Sequence, residues 1–293
     1  MKKFKFFSKL LAVLVIVPAI LLCTACGGGQ LAQEAKLEQK EFTQLTSVTE
    51  FQTKMAEIEE TQITGGYHMS FNMKMNMPMM GMNFEKFNMN MYYVPGETAE
   101  ETKLAAKYDM KMDMNMDLGF GDPIEMETEA NGTMYVTDGY AYTDVKGKAT
   151  ANGETEDVTE KTKVPFVLGA GEGPIGMAEA FADLEQIFGM VKFEEMQDVE
   201  GVKFFVSTDG TQLKMTLDAF EEEGVKVNKY EMVFQFAEGR LTGMAIDVNM
   251  ELTEGEETIP MEMKITVAPF AGEIDMPANF DGYTEPEEPG LEF

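Results

Sequence analysis

The chain has 293 residues, of which 52 are acidic and 23 basic, so its formal net charge is −29. A field this negative repels nucleic acid and anionic lipid headgroups, and binding to either through overall charge is excluded. The two cysteines, Cys23 and Cys26, lie close together near the N-terminus, which leaves no disulfide framework and no cysteine metal site for the rest of the chain. The 27 methionines are the compositional anomaly, and they are clustered.

The N-terminal residues have the parts of an export signal in the usual order. Four lysines within residues 1–9 precede an apolar stretch over residues 10–22, and the small residues Thr24 and Ala25 precede Cys26. An apolar stretch of about 13 residues is too short to cross a bilayer, which takes about 20. The pattern therefore predicts a cleaved export signal and not a membrane span.

The four residues Cys23-Thr24-Ala25-Cys26 resemble a lipobox, the motif in which a diacylglyceryl-modified cysteine becomes the new N-terminus. Cys23 stands where leucine is usual in this motif. The resemblance implies cleavage after residue 25, lipid on Cys26 and a location on the extracellular face of the cell membrane. Residues 27–29 are all glycine and would form a flexible spacer. The alternative is a secreted protein with an accidental cysteine.

Helical spacing appears in three segments. Ser47 and Glu50 match a capping box, and the apolar residues after them predict a helix over residues 48–62. The residues before it, 30–46, are expected to form a tether, either helical or disordered. The apolar positions of the second predicted helix are Met177, Phe181, Leu184, Phe188 and Val191, and those of a third short helix are Leu213, Leu217 and Phe220.

Several segments alternate apolar and polar residues, which predicts strands with one dry and one solvated face. In the first, the odd positions from Tyr67 to Met79 are apolar, and the even positions from His68 to Asn76 are polar. Asp138-Gly139 predicts a hairpin turn. The polar, acidic residues 149–161 are expected to form a loop or the end of a hairpin. The pattern recurs within residues 87–93, 104–116, 124–136, 140–145, 230–236, 244–252 and 259–267.

Long one-sided strands with short connections predict an antiparallel sheet with one buried face. Three amphipathic helices are available to cover that face, and a sheet this long tends to twist and curl. The predicted fold class is α+β: a curved antiparallel sheet, or open half-barrel, packed around two or three helices. Closure into a barrel by strands alone is the alternative. The expected regions are a signal peptide over residues 1–25, the lipidated cysteine and tether over 26–46, a single half-barrel domain over 47–283 and an acidic tail over 284–293.

This order of elements resembles lipoproteins of the LolA and LppX type. The resemblance rests also on the tyrosine-rich hairpin over residues 134–142, on Gly239 between two long strands and on the closing Ile274-Asp275-Met276-Pro277. It covers about residues 47–283. It implies a hydrophobic pocket between the curved sheet and the helices, which relatives use to hold acyl chains.

Motifs of catalysis are missing from the sequence, and the chain is not expected to be an enzyme. The single histidine, His68, falls on a polar strand face, and the GxSxG, P-loop and HExxH patterns are absent. No cofactor or metal is therefore predicted. The expected partners are the membrane, reached through the lipid anchor, and an apolar ligand.

The methionines leave three hypotheses open. They pack as ordinary core in an envelope interaction or sensor module, they line a pliant pocket for a lipid or other apolar ligand, or their thioethers bind Cu(I). We favour the pocket as the function, because strands normally prefer branched and aromatic residues to methionine. The residues expected to line it are Met69, Phe71, Met73, Met75, Met110, Met112, Met114, Ile246, Met261, Met263, Phe181 and Phe188.

Overall fold

The computed structural model describes residues 30–58, 63, 65–77, 81–116, 124–151, 154–166, 200–222, 224–254 and 257–285. In this part of the chain the backbone forms one α-helix and thirteen strands. In chain order these are β1 (Phe42–Gln44), α1 (Val48–Met55), β2 (Tyr67–Met77), β3 (Met82–Val94), β4 (Lys103–Met116), β5 (Ile124–Thr137), β6 (Tyr140–Ala151), β7 (Glu154–Pro165), β8 (Val202–Ser207), β9 (Gln212–Leu217), β10 (Phe220–Glu222), β11 (Val225–Ala237), β12 (Arg240–Glu254) and β13 (Glu257–Pro269).

All thirteen strands belong to one antiparallel sheet. Its order is β1-β8-β9-β11-β12-β13-β2-β3-β4-β5-β6-β7, with β10 paired to β11 outside this path. Two sets of consecutive strands, β2 to β7 and β8 to β13, therefore lie side by side and are joined where β13 pairs with β2. The predicted turn at Asp138-Gly139 is present, and its residues have φ values of 54° and 75°. Positive φ at both positions is the conformation that a type I′ turn requires, and this is one of the two common turns of two-residue hairpin loops.

The sheet has an apolar face and a polar face, which are set by the alternation along each strand. On β2 the apolar face carries Tyr67, Met69 and Phe71, and the polar face carries His68 and Ser70. The residues of the apolar face from β2 to β5 and from β8 to β13 form one buried cluster. Burying a side chain of this size contributes about 1.5–3 kcal/mol, so this cluster is the main source of stability.

The predicted α+β fold class is wrong, because the described part of the chain is almost entirely antiparallel sheet with a single α-helix. The predicted third helix is replaced by strands: Leu213 and Leu217 lie in β9, and Phe220 lies in β10. Residues four apart share a face in a helix and also in a strand, so the spacing of Leu213 and Leu217 fits the 3.6-residue period of a helix and the two-residue period of a strand. Met215, buried between them, shows that the period is two. The predicted second helix, over residues 177–191, lies outside the described residues.

Residues 149–151 and 154–161 form the end of a hairpin, the second of the two predicted alternatives: β6 continues to Ala151, and β7 runs from Glu154 to Pro165 as an edge of the sheet. Most of β7 is exposed on both faces. An edge strand of this kind has no dry face, so its sequence lacks the alternation that identifies a strand.

The predicted first helix is present but ends earlier, at Met55. The Ser47 hydroxyl accepts a hydrogen bond from the Glu50 amide at 3.2 Å, and the Glu50 carboxylate accepts from the amide and hydroxyl of Thr46 at 2.8 and 2.9 Å. The two hydrogen bonds from Thr46 to the Glu50 carboxylate are the main causes of the lowered pKa of Glu50. Phe51 then packs on Phe204, with ring centroids 4.7 Å apart, and attaches the helix to the sheet.

Both ends of the described chain lie on the polar face. Leu31 and Ala35, in the segment expected to be a tether, are buried, and the Ala35 amide donates to the Ser70 hydroxyl at 2.6 Å. The C-terminal segment from Phe270 to Tyr283 packs beside it. Together these segments cover a second buried cluster of Leu31, Tyr92, Ala105, Tyr135, Tyr142 and Ile274.

Candidate functional site

The structure brings together most of the residues that were expected to line a cavity. Met114 is half-buried, and Phe181 and Phe188 lie outside the described residues. The other nine, Met69, Phe71, Met73, Met75, Met110, Met112, Ile246, Met261 and Met263, are buried in the cluster of the apolar face.

Strand register places methionines and aromatic rings beside one another on this face. Met75 pairs with Met261 on one side and with Phe84 on the other, and Met73 pairs with Met263 and Phe87. Thioethers make favourable contacts with aromatic rings and adapt to irregular gaps. The centre of the apolar face is therefore a pliant and closely packed core.

The apolar face opens near the β7 edge, where small residues leave a groove of about 200 Å³. Ala130 on β5 pairs with Gly147 on β6 at its floor. A Cβ on Gly147 would lie 2.3 Å from the Glu129 carbonyl oxygen, so the close approach of the two strands requires glycine. We call this feature the apolar groove. Its apolar lining is Tyr108, Met110, Ala130, Val145, Gly147 and Val158.

The rim of the apolar groove is polar and includes Thr128, Glu129, Lys148 and Glu160. Glu160 pairs with Val145 across β6 and β7 and is exposed at the sheet edge. Of the predicted cavity residues only Met110 lines this groove. Sequence analysis missed the others because the small size of Ala130 and Gly147 becomes a feature only when β5 and β6 are paired.

His68 lies on the polar face, as predicted, but is buried there. Its ring stacks on Tyr92 with centroids 3.9 Å apart, and Nε2 has no hydrogen-bond partner among the described residues. Burial lowers the pKa of His68, and a hydrogen bond with the Gln33 backbone opposes this shift only in part. His68 is therefore neutral and structural.

This histidine predicts a pH-dependent loss of stability. The lowered pKa means that the unfolded chain binds a proton more readily than the folded one, so stability falls as the pH drops below the unfolded value of about 6.5. When the pH is lowered from about 7 to about 5.5, the melting temperature should fall more for the wild type than for His68→Phe, in which the new ring keeps the stacking on Tyr92. Equal losses would contradict this assignment.

Two other groups with large pKa shifts, Tyr230 and Asp209, also belong to structural contacts. Burial raises the pKa of Tyr230, whose hydroxyl contacts the Met232 sulfur at 3.0 Å. A hydrogen bond with Lys40 is the largest cause of the lowered pKa of Asp209, at the turn after β8. Neither group lines the apolar groove.

In the described ranges, no three His, Cys, Asp or Glu residues are placed to hold a metal ion together. The buried methionines occupy eight strands, β2 to β5, β9 and β11 to β13. A Cu(I) site would need several sulfurs at one point. Register sets Met250 beside Met261 and Met261 beside Met75 on three neighbouring strands, so the copper hypothesis remains a prediction.

Comparisons with known proteins give little guidance. No family model and no curated protein matches the chain. Among solved structures, a β-barrel-like protein of the domain of unknown function DUF1849 from Brucella abortus is similar at 8% identity, covering 70% of this chain and 99% of that one, with a TM-score of 0.19. So low a TM-score assigns neither fold nor function. The expected resemblance to the LolA and LppX type is wrong, since the described chain is a sheet with one helix and not an α+β half-barrel.

Within the part of the chain that the structure describes, no helix is long and apolar enough to cross a membrane.

Proposed function

We propose that this protein is a cell-envelope lipoprotein, anchored through lipid on Cys26, whose domain binds an acyl chain or another apolar ligand. The ligand would enter the apolar groove and lie against the methionines of the apolar face. The observation that carries the proposal is the groove itself, which is an open part of the apolar face beside its buried cluster.

The size of the groove fits one end of an acyl chain. Its 200 Å³ is below the 300–1,000 Å³ of typical ligand pockets, so a longer chain requires Met110 and its neighbours to move. Methionine has three rotatable bonds and suits such an adaptation. Each methylene removed from water contributes about 0.8 kcal/mol, so a few buried methylenes give measurable affinity.

Filling the groove should strongly weaken lipid binding. Val158→Phe places a ring in the groove from the half-buried edge position of Val158, whereas Thr159→Phe places the same ring on the opposite, exposed face. Native mass spectrometry of protein purified from cells should show co-purified lipid on the wild type and on Thr159→Phe. The lipid-bound fraction should fall about tenfold or more for Val158→Phe, since each 1.4 kcal/mol of lost affinity is a factor of ten.

Equal lipid on both variants would show that the groove is not the site. A wild-type protein that carries no lipid and binds no added fatty acid would favour the alternative, an interaction or sensor module with a methionine-rich core. One observation supports that alternative: Met69, Met75 and Met261 are 2% exposed or less.

A further inference from the structure

Strand β7 is an edge strand of the sheet that the described residues form, and no second strand pairs with it there. It is the last strand in the order of the sheet, and it pairs with β6 in continuous register from Glu154 to Pro165. Backbone groups of alternate residues point to opposite sides of a strand, so half of the residues of β7 bond to β6 and the other half face outward.

The chain itself shows which residues face outward. Thr284 bonds to this edge: the Lys163 amide donates to its carbonyl at 2.8 Å, and its own amide donates to the Lys161 carbonyl at 3.2 Å. The odd residues of β7 therefore face outward, and Thr155, Asp157 and Thr159 present backbone groups that find no partner among the described residues.

Thr284 occupies only one end of the edge. It pairs with Thr162 in the parallel orientation, so at this point the chain runs toward Pro165 and away from residues 154–160. The edge thus accepts backbone bonds from another segment at one end, and no described residue pairs with the outer side of residues 154–160.

The charges on this open stretch define the strand that it can accept. Glu154, Glu156 and Glu160 share one face and Asp157 lies on the other; all four are exposed, and residues 154–160 contain no basic residue. A second copy is a poor occupant, because antiparallel pairing centred on Asp157 sets Glu154 against Glu160, and like charges directly opposite are destabilising. A basic strand meets carboxylates on both faces.

We propose that residues 154–160 of β7 bind an extended, lysine- or arginine-rich segment of a partner protein as an added strand. Backbone bonds to the outward-facing residues hold the segment. The carboxylates select its charge and keep acidic or neutral strands, including β7 of another molecule, from aggregating at the edge. This site adjoins the apolar groove, because Val158 and Glu160 line the groove. The added strand is held by the outward backbone groups of Thr155, Asp157 and Thr159, which do not line the groove, so its binding does not depend on a ligand there.

The test uses the purified full-length protein and a nine-residue peptide of alternating lysine and threonine. Fluorescence anisotropy should detect binding that weakens with added salt. Amide hydrogen exchange should slow at Thr155, Asp157 and Thr159. It should change little at the even residues, whose amides already bond to β6.

Two control peptides separate strand addition from simple charge attraction. N-methylation of alternate peptide bonds keeps every charge but removes the donors, and should weaken binding about tenfold or more, because each hydrogen bond contributes about 1 kcal/mol. A peptide of alternating glutamate and threonine should not bind. On the protein, Glu156→Lys with Glu160→Lys should weaken binding of the lysine peptide by a similar factor.

Retained affinity after N-methylation would overturn the proposal in favour of a purely electrostatic contact. Absence of binding, or equal binding of the glutamate peptide, would also overturn it. Protection of the same three amides through self-association, without peptide, would make a second copy the occupant.

Discussion

Met75→Glu should prevent the domain from folding stably, whereas Lys74→Glu on the same strand should leave it folded. Met75 is 2% exposed and lies between Met261 and Phe84 in the middle of the apolar face. A carboxylate at this position has no partner, and burying an unpaired charged or polar group costs about 4 kcal/mol or more. This is a large share of the 5–15 kcal/mol that stabilises an ordinary domain.

The matched change at Lys74 places the same side chain on the polar face, one residue away. The Lys74 side chain is 64% exposed and forms a surface ion pair with Glu262 at 3.4 Å, so its replacement costs little. Urea denaturation followed by circular dichroism should show a much lower midpoint, or no folded protein, for Met75→Glu and an almost unchanged midpoint for Lys74→Glu. Similar midpoints would mean that the strand or its register is wrong.

Cys26→Ser should abolish membrane attachment completely. The thiol of Cys26 is the group that the lipobox resemblance assigns to lipidation, and serine cannot form the thioether. The variant should accumulate as unprocessed precursor or appear in the medium, whereas the wild type fractionates with membranes. Intact mass spectrometry would measure the loss of the lipid, and cell fractionation the loss of attachment.

Cys23→Ser is the control for this change. Cys23 lies before the expected cleavage position and follows Leu22, which is too bulky for the residue preceding a modified cysteine. This variant should therefore give the same mature, lipidated protein as the wild type. A Cys26→Ser protein of mature size that still sediments with membranes would refute the lipid anchor.

The strands of the apolar face could be predicted from the sequence because their pattern is local. In β2 each residue from Tyr67 to Met73 lies on the face that alternation gives it, and the Asp138-Gly139 turn forms as expected. Alternation depends only on strand geometry and on which face excludes water, so it is readable without knowledge of the neighbouring strands.

The arrangement of those strands was decided by tertiary contacts. Nothing in the local pattern of β2 specifies that it pairs with β13. The two strands are separated in the chain by almost the whole domain. The assignment of Leu213 and Leu217 to a helix failed for a related reason. Their spacing fits either period, and the pairing of β9 with β11 decides between them.

The sequence by itself determined the face on which the methionines of β2 lie, since alternation depends on residues that are neighbours in the chain. The export signal and the lipid on Cys26 stay predictions of the sequence. Tertiary structure alone decided that β7 is a polar edge strand and that the apolar groove opens at Ala130 and Gly147. An edge strand keeps its polar residues because one side has no partner, and two small residues form a groove only when pairing sets them opposite each other.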